Sequence, residues 1–358
     1  MSELAELFDD TATRIFDDHD TAVVSTIPNT NSPQALSWPN GLWNDVQAQG
    51  LTHALVPERM GGAGAEWGDC FRVLQAAGRA AAPIPLGETM FALGTLATRT
   101  EDLPSGAISI GVGQSLTLDR QGTEWRVTGA VSRVPWGRHA TAVLTQTRHD
   151  GQTYLLVLNP ADGELAGELN LAREPRDTLN FEAAATIALP VGNDIDDDYI
   201  FRHGALLRVA QATGAIASVQ SRALAYASDR VQFGRALAKF QTIQHYLADL
   251  ACHCAQSDVA AGAAFRATDR GDNAFEVASA KVVVGQATEF ATRIGHQIHG
   301  AMGFTAEHDL HLFTQRLWSW KAEFGSVAHW AERLGRAALA RGADHLWSDI
   351  TDRQAEQH

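Results

Sequence analysis

Apolar residues recur at helical spacing through roughly the first hundred positions. They then give way to short alternating runs, and return to helical spacing towards the C-terminus. Leu4, Leu7, Ile15 and Phe16 predict one apolar stripe on an opening helix. Residues 42–50 (LWNDVQAQG) predict a second helix that stops at Gly50, and residues 68–80 and 87–99 predict two more. Pro83 and Pro85 forbid one continuous helix between the last two. From about residue 105 the runs AISIGV, SLTLD, WRVTG, TAVLTQT, TYLLVLN and LNFEAAATIALP are β-branched and separated by turn residues. From residue 199 the helical period returns. Ile243, Leu247, Leu250 and Cys254 follow it, as do Val283, Ala287, Phe290, Ile294 and Ile298, with RGD (270–272) breaking the two segments apart. The pattern predicts a mainly α chain with a small middle β domain: an N-terminal helical domain over 1–104, an antiparallel β domain over 105–190 and a C-terminal four-helix bundle over 191–358. The long Ala-rich helices predict a bundle surface that is covered by other subunits.

Composition narrows the function. Across 358 residues, 42 acidic side chains outnumber 28 basic ones, for a formal charge of −14. Nucleic acid and anionic membrane both need a cationic face, so neither is expected as the main partner. Cys70, Cys252 and Cys254 are too few for a disulfide framework and suit a reducing cytoplasm. The acidic opening segment is neither a signal nor a transit peptide, and no apolar run approaches the ~20 residues of a membrane span.

Five segments carry candidate chemistry. The glycines of VPERMGGAGAEWGD (56–69) invite a phosphate cradle, but the spacing is not that of a dinucleotide loop and a turn is the expected role. Cys252 and Cys254 point about 200° apart on a helix and cannot share a metal. His296, His299, His308 and His311, with Glu307, have i,i+3 pairs, yet GAMGFT interrupts them and no zinc motif is present. YASDRVQFGRALAKFQ (226–241) places Arg230 and Arg235 around an aromatic–glycine pair, which suits a phosphate with Phe233 stacked on a flat ring, or an ordinary solvated turn. QIHGAMGFT (297–305) suits either close backbone approach to a ligand or a helix C-cap.

The last two segments, in this order, resemble the acyl-CoA dehydrogenase family. RVQFGRALAKFQTIQHYLADL (230–250) resembles its Arg-x-x-Phe-Gly…Gln stretch, and QIHGAMGFTAEHDLHLFTQR (297–316) its Gln-x-x-Gly-x-x-Gly-Phe stretch with Arg316 following. GLTHALVPERMGGAGAEWGD (50–69) resembles its N-terminal Pro-Glu…Gly-Gly segment. The resemblance implies FAD and the α,β-dehydrogenation of an acyl-CoA thioester, with an electron-transfer flavoprotein as acceptor. It also implies an oligomer in which Arg230, Gln232, Phe233, Phe240, Gln241, Gln297, Ile298, His299 and Gly300 reach a neighbour's FAD.

The departures are as informative. The family's catalytic Glu precedes an Arg in the first bundle helix or sits in a C-terminal Tyr-Glu-Gly-Thr loop. Here Leu207 precedes Arg208, and KAEFGSVAH (321–329) puts Phe324 and Gly325 in that loop, with Glu323 out of phase. The family's Thr-Glu-x-x-x-Gly-Ser flavin segment is missing near GAISIGVGQSLTLD (106–119), and Trp136 stands near the place of the usual flavin-side Trp. Ala210, Ala212, Gly214 and Ala215 are small enough for a bulky acyl pocket. The retained motifs serve a neighbour's cofactor and the missing ones serve the chain's own site. That pattern fits one subunit of a heteromeric enzyme of the kind actinobacteria use on steroid side-chain CoA esters. A homotetramer using Glu323, a flavin monooxygenase or hydroxylase on the same scaffold, and a non-catalytic structural partner are the alternatives.

Overall fold

A computed structural model describes residues 2–19, 37–192, 194–305 and 307–351. The opening helix α1 (Glu3–Asp18) starts at Ser2, whose hydroxyl accepts from Ala5 N–H at 3.0 Å. It buries Ala5, Phe8, Ala12, Ile15 and Phe16, while Leu7 lies exposed. The expected stripe is therefore turned by about one position at Leu7, because Phe8 offers the larger apolar ring to the core. Helix α2 (Asn40–Ala48) ends before Gly50, which takes the left-handed φ of +73° that a glycine adopts without strain. Helix α3 (Trp67–Arg79) is capped from afar: Asp269 accepts from Trp67 N–H at 2.6 Å and from Gly68 N–H at 2.9 Å. Helix α4 (Leu86–Ala97) is buried along nearly its whole length.

Strands β1 (Ile108–Ile110), β2 (Val112–Gln121), β3 (Glu124–Pro135), β4 (Ala142–His149), β5 (Gln152–Leu158), β6 (Glu164–Ala166) and β7 (Arg176–Pro190) form one sheet in the order β1-β4-β5-β7-β3-β2, with β6 on β7. The sheet is mixed rather than purely antiparallel, since β1 pairs with β4 in parallel, Ile108 opposite Ala142. Strand β1 leaves α4 directly and is tied to it by Thr89, whose hydroxyl donates to Ile108 C=O at 2.8 Å. That link sets its direction. Val127, Val131, Val134, Val143, Leu156, Leu158, Leu179 and Phe181 give this layer a core of its own.

Helix α5 (Tyr199–Asp229) runs through the centre of the C-terminal part. Its 31 residues span about 46 Å. A hairpin of β8 (Val231–Gln232) and β9 (Arg235–Ala236) turns the chain into α6 (Gln241–Asp269). Helices α7 (Ala274–His299), α8 (Leu310–Trp320), α9 (Val327–Arg341) and α10 (Leu346–Thr351) follow. Helices α3 and α5 cross backbone to backbone. A Cβ on Gly78 would lie 1.9 Å from Gln211 C=O, and one on Gly214 would lie 2.0 Å from Gln75 C=O. Ala210, Ala212 and Ala215 are buried alongside. These small residues permit a close helix crossing and do not line an acyl pocket. No described helix is long and apolar enough to cross a membrane. The class read from the sequence, helices around a small middle β layer, is the class observed.

Candidate functional site

Two of the candidate segments meet at one end of the bundle. Helix α5 ends at Asp229 and α7 at His299, and the two ends are joined by Tyr226 against His299 with ring centroids 4.6 Å apart. The β8–β9 hairpin projects from this end. Phe233 sits at its tip with φ +52° and is 92% exposed, so it has almost no packing role within the chain. Arg235 lies 4.1 Å from the centroid of half-buried Phe240. Arg230, Gln232, Gln241, Gln297 and Gly300 are exposed. Ile298 and His299 are not: both are buried, and the His299 ring bonds Gly295 C=O through Nδ1 at 2.7 Å. Their side chains pack the bundle, and the buried His299 Nε2 has no hydrogen-bond partner among the described residues.

The C-terminal end of α7 also lines a cavity of about 480 Å³, with Glu289, Thr292, Arg293, His296, Gln297, Gly300, Phe304 and Trp318 around it. His296 is stacked against Phe304 at 4.3 Å and Trp318 at 5.7 Å. Its Nε2 pairs with Thr314 Oγ1 at 3.0 Å, while its buried Nδ1 has no hydrogen-bond partner among the described residues. Gly300 takes φ +58° and has open space where a side chain would stand. Aromatic faces, an orphaned ring nitrogen, a free amide and a guanidinium suit a flat heterocycle joined to phosphates.

The cleft between the β layer and the bundle is filled by charge. Glu323, in the loop after α8, accepts from Arg176 Nε at 2.8 Å, Arg208 Nε at 2.6 Å and Asn170 Nδ2 at 3.2 Å. Arg208 also donates to Glu88 Oε1 at 2.6 Å and Gln211 Oε1 at 2.6 Å. Arg176 also donates to Glu174 Oε2 at 2.8 Å. Glu174 accepts in turn from Arg316 Nε at 2.9 Å and Trp320 Nε1 at 3.1 Å. The three carboxylates and three guanidinium groups are all buried. Burial would raise the pKa of Glu323, but Arg176 and Arg208 outweigh it and hold the carboxyl far below the usual carboxylate range. Glu174 is lowered too, with Arg316 and Arg176 overcoming its burial. A general base must have lone pairs free and a pKa near the working pH. Glu323 has neither.

Other candidates find structural roles. In the 56–69 loop, a Cβ on Gly62 would lie 2.0 Å from Val56 C=O. The N–H groups of Gly62, Ala63, Gly64 and Ala65 are spent on Pro57, His53, Val56 and Ala54 carbonyls, so the loop is a turn with no donors left for a phosphate. Cys252 is exposed and Cys254 half-buried, and all three cysteines are free. Among the described residues no group of His, Cys, Asp or Glu has the geometry of a metal site. Trp136 is buried against Trp38, centroids 5.9 Å apart, and Trp38 stacks on His139 at 5.1 Å.

Residues 198–339 match the family model of the acyl-CoA dehydrogenase C-terminal domain. The acyl-CoA dehydrogenase IpdE2 of Mycolicibacterium smegmatis is 27% identical over 324 residues, covering 88% of this chain and 93% of that protein. The ChsE4-ChsE5 complex of Mycobacterium tuberculosis contains a chain that superposes with a TM-score of 0.86 at 20% identity, covering 96% of this chain and 98% of that one. Residues 198–339 belong to the acyl-CoA dehydrogenase family, and the whole chain has that fold. A further family fold, PigA solved with FAD and proline, superposes with a TM-score of 0.77 at 16% identity over 96% of this chain and 99% of that one.

Within this acyl-CoA dehydrogenase fold, the two positions singled out for a base, Leu207 and Gly325, carry no carboxylate. Leu207 is fully buried, packed near Gly87. Phe324 lies under Arg208 at 5.7 Å and against Gly204, where a Cβ would come within 2.4 Å of its ring. The ionic cluster was invisible to motif reading because its partners lie 115 to 147 residues apart, as Arg208 and Arg176 do from Glu323. One signal was available: single charges inside otherwise apolar helices, as at Glu88 in LGETMFALGTLA and Lys281 in EVASAKVVVGQA.

Proposed function

We propose that this chain is the protomer of a heteromeric acyl-CoA dehydrogenase that completes a partner's FAD site and carries no proton acceptor of its own. The observation that carries the reading is the state of Glu323. The carboxylate beside the expected loop position is buried and bonded to Arg176, Arg208 and Asn170. On this reading the same contacts, which join the β layer to the bundle, stand where the chain's own flavin ring would have to lie. The opposite end of the bundle does fit part of an FAD. There Arg230 and Arg293 would face the pyrophosphate, Gln297 would hydrogen-bond it, and His296, Phe304 and Trp318 would flank the adenine. FAD, when bound, accepts the β hydrogen of the acyl thioester as hydride. This chain's residues anchor and orient it, while the partner supplies the carboxylate that takes the α proton.

The likeness to a chain of the ChsE4-ChsE5 complex supports a heteromer at the level of fold. The substrate class is a lipid- or steroid-derived acyl-CoA, the electron acceptor an electron-transfer flavoprotein, and the compartment the cytoplasm. The test is the double variant Arg230→Ala with Gln297→Ala in the purified complex. Both side chains are exposed, so the thermal midpoint of this chain should hold while bound flavin falls at least tenfold in affinity. Unchanged flavin content would remove the half-site from the account.

A further inference from the structure

The loop from Lys321 to Gly325 is held from every side. Lys281 Nζ, itself buried, donates to the carbonyl of Glu323 at 2.9 Å and approaches those of Lys321 at 3.3 Å and Trp320 at 3.4 Å. Trp330 Nε1 donates to Phe324 C=O at 2.9 Å. Phe324 has φ +51°, a conformation costly for an aromatic residue, and Gly325 follows at +95°. Such strain persists only where the surroundings over-determine it. Gly204 is the residue that lets the Phe324 ring sit against α5. The space remaining beside Arg208, Val209, Lys281, Thr288 and Trp320 is about 10 Å³, at the lower limit for one water molecule.

The paired charges balance around this loop. Glu88, Glu174 and Glu323 face Arg208, Arg176 and Arg316, three against three in direct ion pairs, with the Lys281 ammonium on the loop carbonyls beside them. Without the Glu323 carboxylate the cluster carries an excess buried positive charge, with two guanidinium groups and one amide aimed at a single point.

We infer that Asn170, Arg176 and Arg208 form a carboxylate receptor whose resident ligand is the chain's own Glu323, so that the Lys321–Gly325 loop is a tethered plug closing this protomer's own cleft. The plug would fill the space that Asn170, Arg176 and Arg208 surround while the dehydrogenase fold is kept. It rests on the reading of the chain as the non-catalytic protomer, and its test uses no flavin, so the two can fail separately.

The test is chemical rescue of Glu323→Ala in the full chain. The atoms removed correspond to an acetate ion. The variant should melt lower than the parent by roughly 5 °C or more, because a buried ion pair has lost one partner. Acetate and formate should restore at least half of that loss, whereas propionate, too large for the vacated space, and chloride at equal concentration should not. The parent should show no such preference, and Arg208→Met in the same background should abolish the rescue. If Glu323→Ala is not recovered folded, the same anions are compared by refolding yield. Equal effects of acetate and chloride, or rescue that survives Arg208→Met, would overturn the receptor. Specific rescue combined with a full complement of FAD on the chain alone would keep the receptor and discard the half-site reading.

Discussion

Replacing Arg208 with methionine keeps an unbranched apolar stem and removes the cation shared by Glu88 and Glu323. Glu323 retains Arg176 and Asn170, whereas the Arg208 bond is the one hydrogen bond that Glu88 makes through its side chain among the described residues. The substitution therefore strands a carboxylate that is 1% exposed. Deleting one member of a buried pair costs about 3–5 kcal/mol. A loss of about 4 kcal/mol is roughly a thousandfold in the unfolding equilibrium and a large share of the ~5–15 kcal/mol by which domains are stable. The assay is urea unfolding followed by tryptophan fluorescence, with Trp320 bonded to Glu174 in the same cluster. Adding Glu88→Gln should recover about half of the loss, since the stranded charge is then gone. A loss below about 1 kcal/mol, the scale of an exposed ion pair, would refute the view that this cluster is dry and holds the layers together.

Gly214→Ala forces a methyl into Gln75 C=O and should cost about 3 kcal/mol or prevent folding, whereas Gly335→Ala, with open space around it, should be neutral or slightly stabilising; thermal melts of the pair distinguish a packing role from simple helix propensity. The lowered pKa values of Glu174 and Glu323 contribute stability that is present above the unfolded carboxylate value of about 4.3 and is lost as pH falls toward the folded values. Melting temperature should therefore drop as pH falls below about 5, and less steeply in Glu323→Gln; identical profiles would show that Glu323 is not held as argued. Cys252, exposed, should react with a disulfide reagent first, Cys254 more slowly because burial raises its thiol pKa, and Cys70 only on unfolding; simultaneous labelling of all three would contradict the packing of α3 and α6.

Periodicity was enough to locate the helices and strands, because each buries a face with its own repeat. It failed where a long-range contact chose the outcome. Phe8 rather than Leu7 enters the core, and β1 runs parallel to β4 because Thr89 of the preceding helix holds it. Ala210 and Gly214 read from sequence as pocket lining, and the opposing Gly78, over a hundred positions earlier, makes the segment a helix crossing instead. At the site, Arg230, Phe233 and Gln297 were legible as a motif, and their exposure at one end of the bundle adds the geometry. Ile298 and His299 share that motif but are buried, turned about 100° and 200° around the helix from exposed Gln297. The fate of Glu323 was not legible, since its partners come from a strand, a loop and another helix far away in sequence.

The account's central claim is that this protomer shares a flavin and does not own one. The direct measurement is FAD per chain, from the visible spectrum after purification alone and after co-expression with its partner subunit. The account predicts no bound flavin on the chain alone and about one FAD per pair in the complex. One FAD per chain without any partner would contradict it.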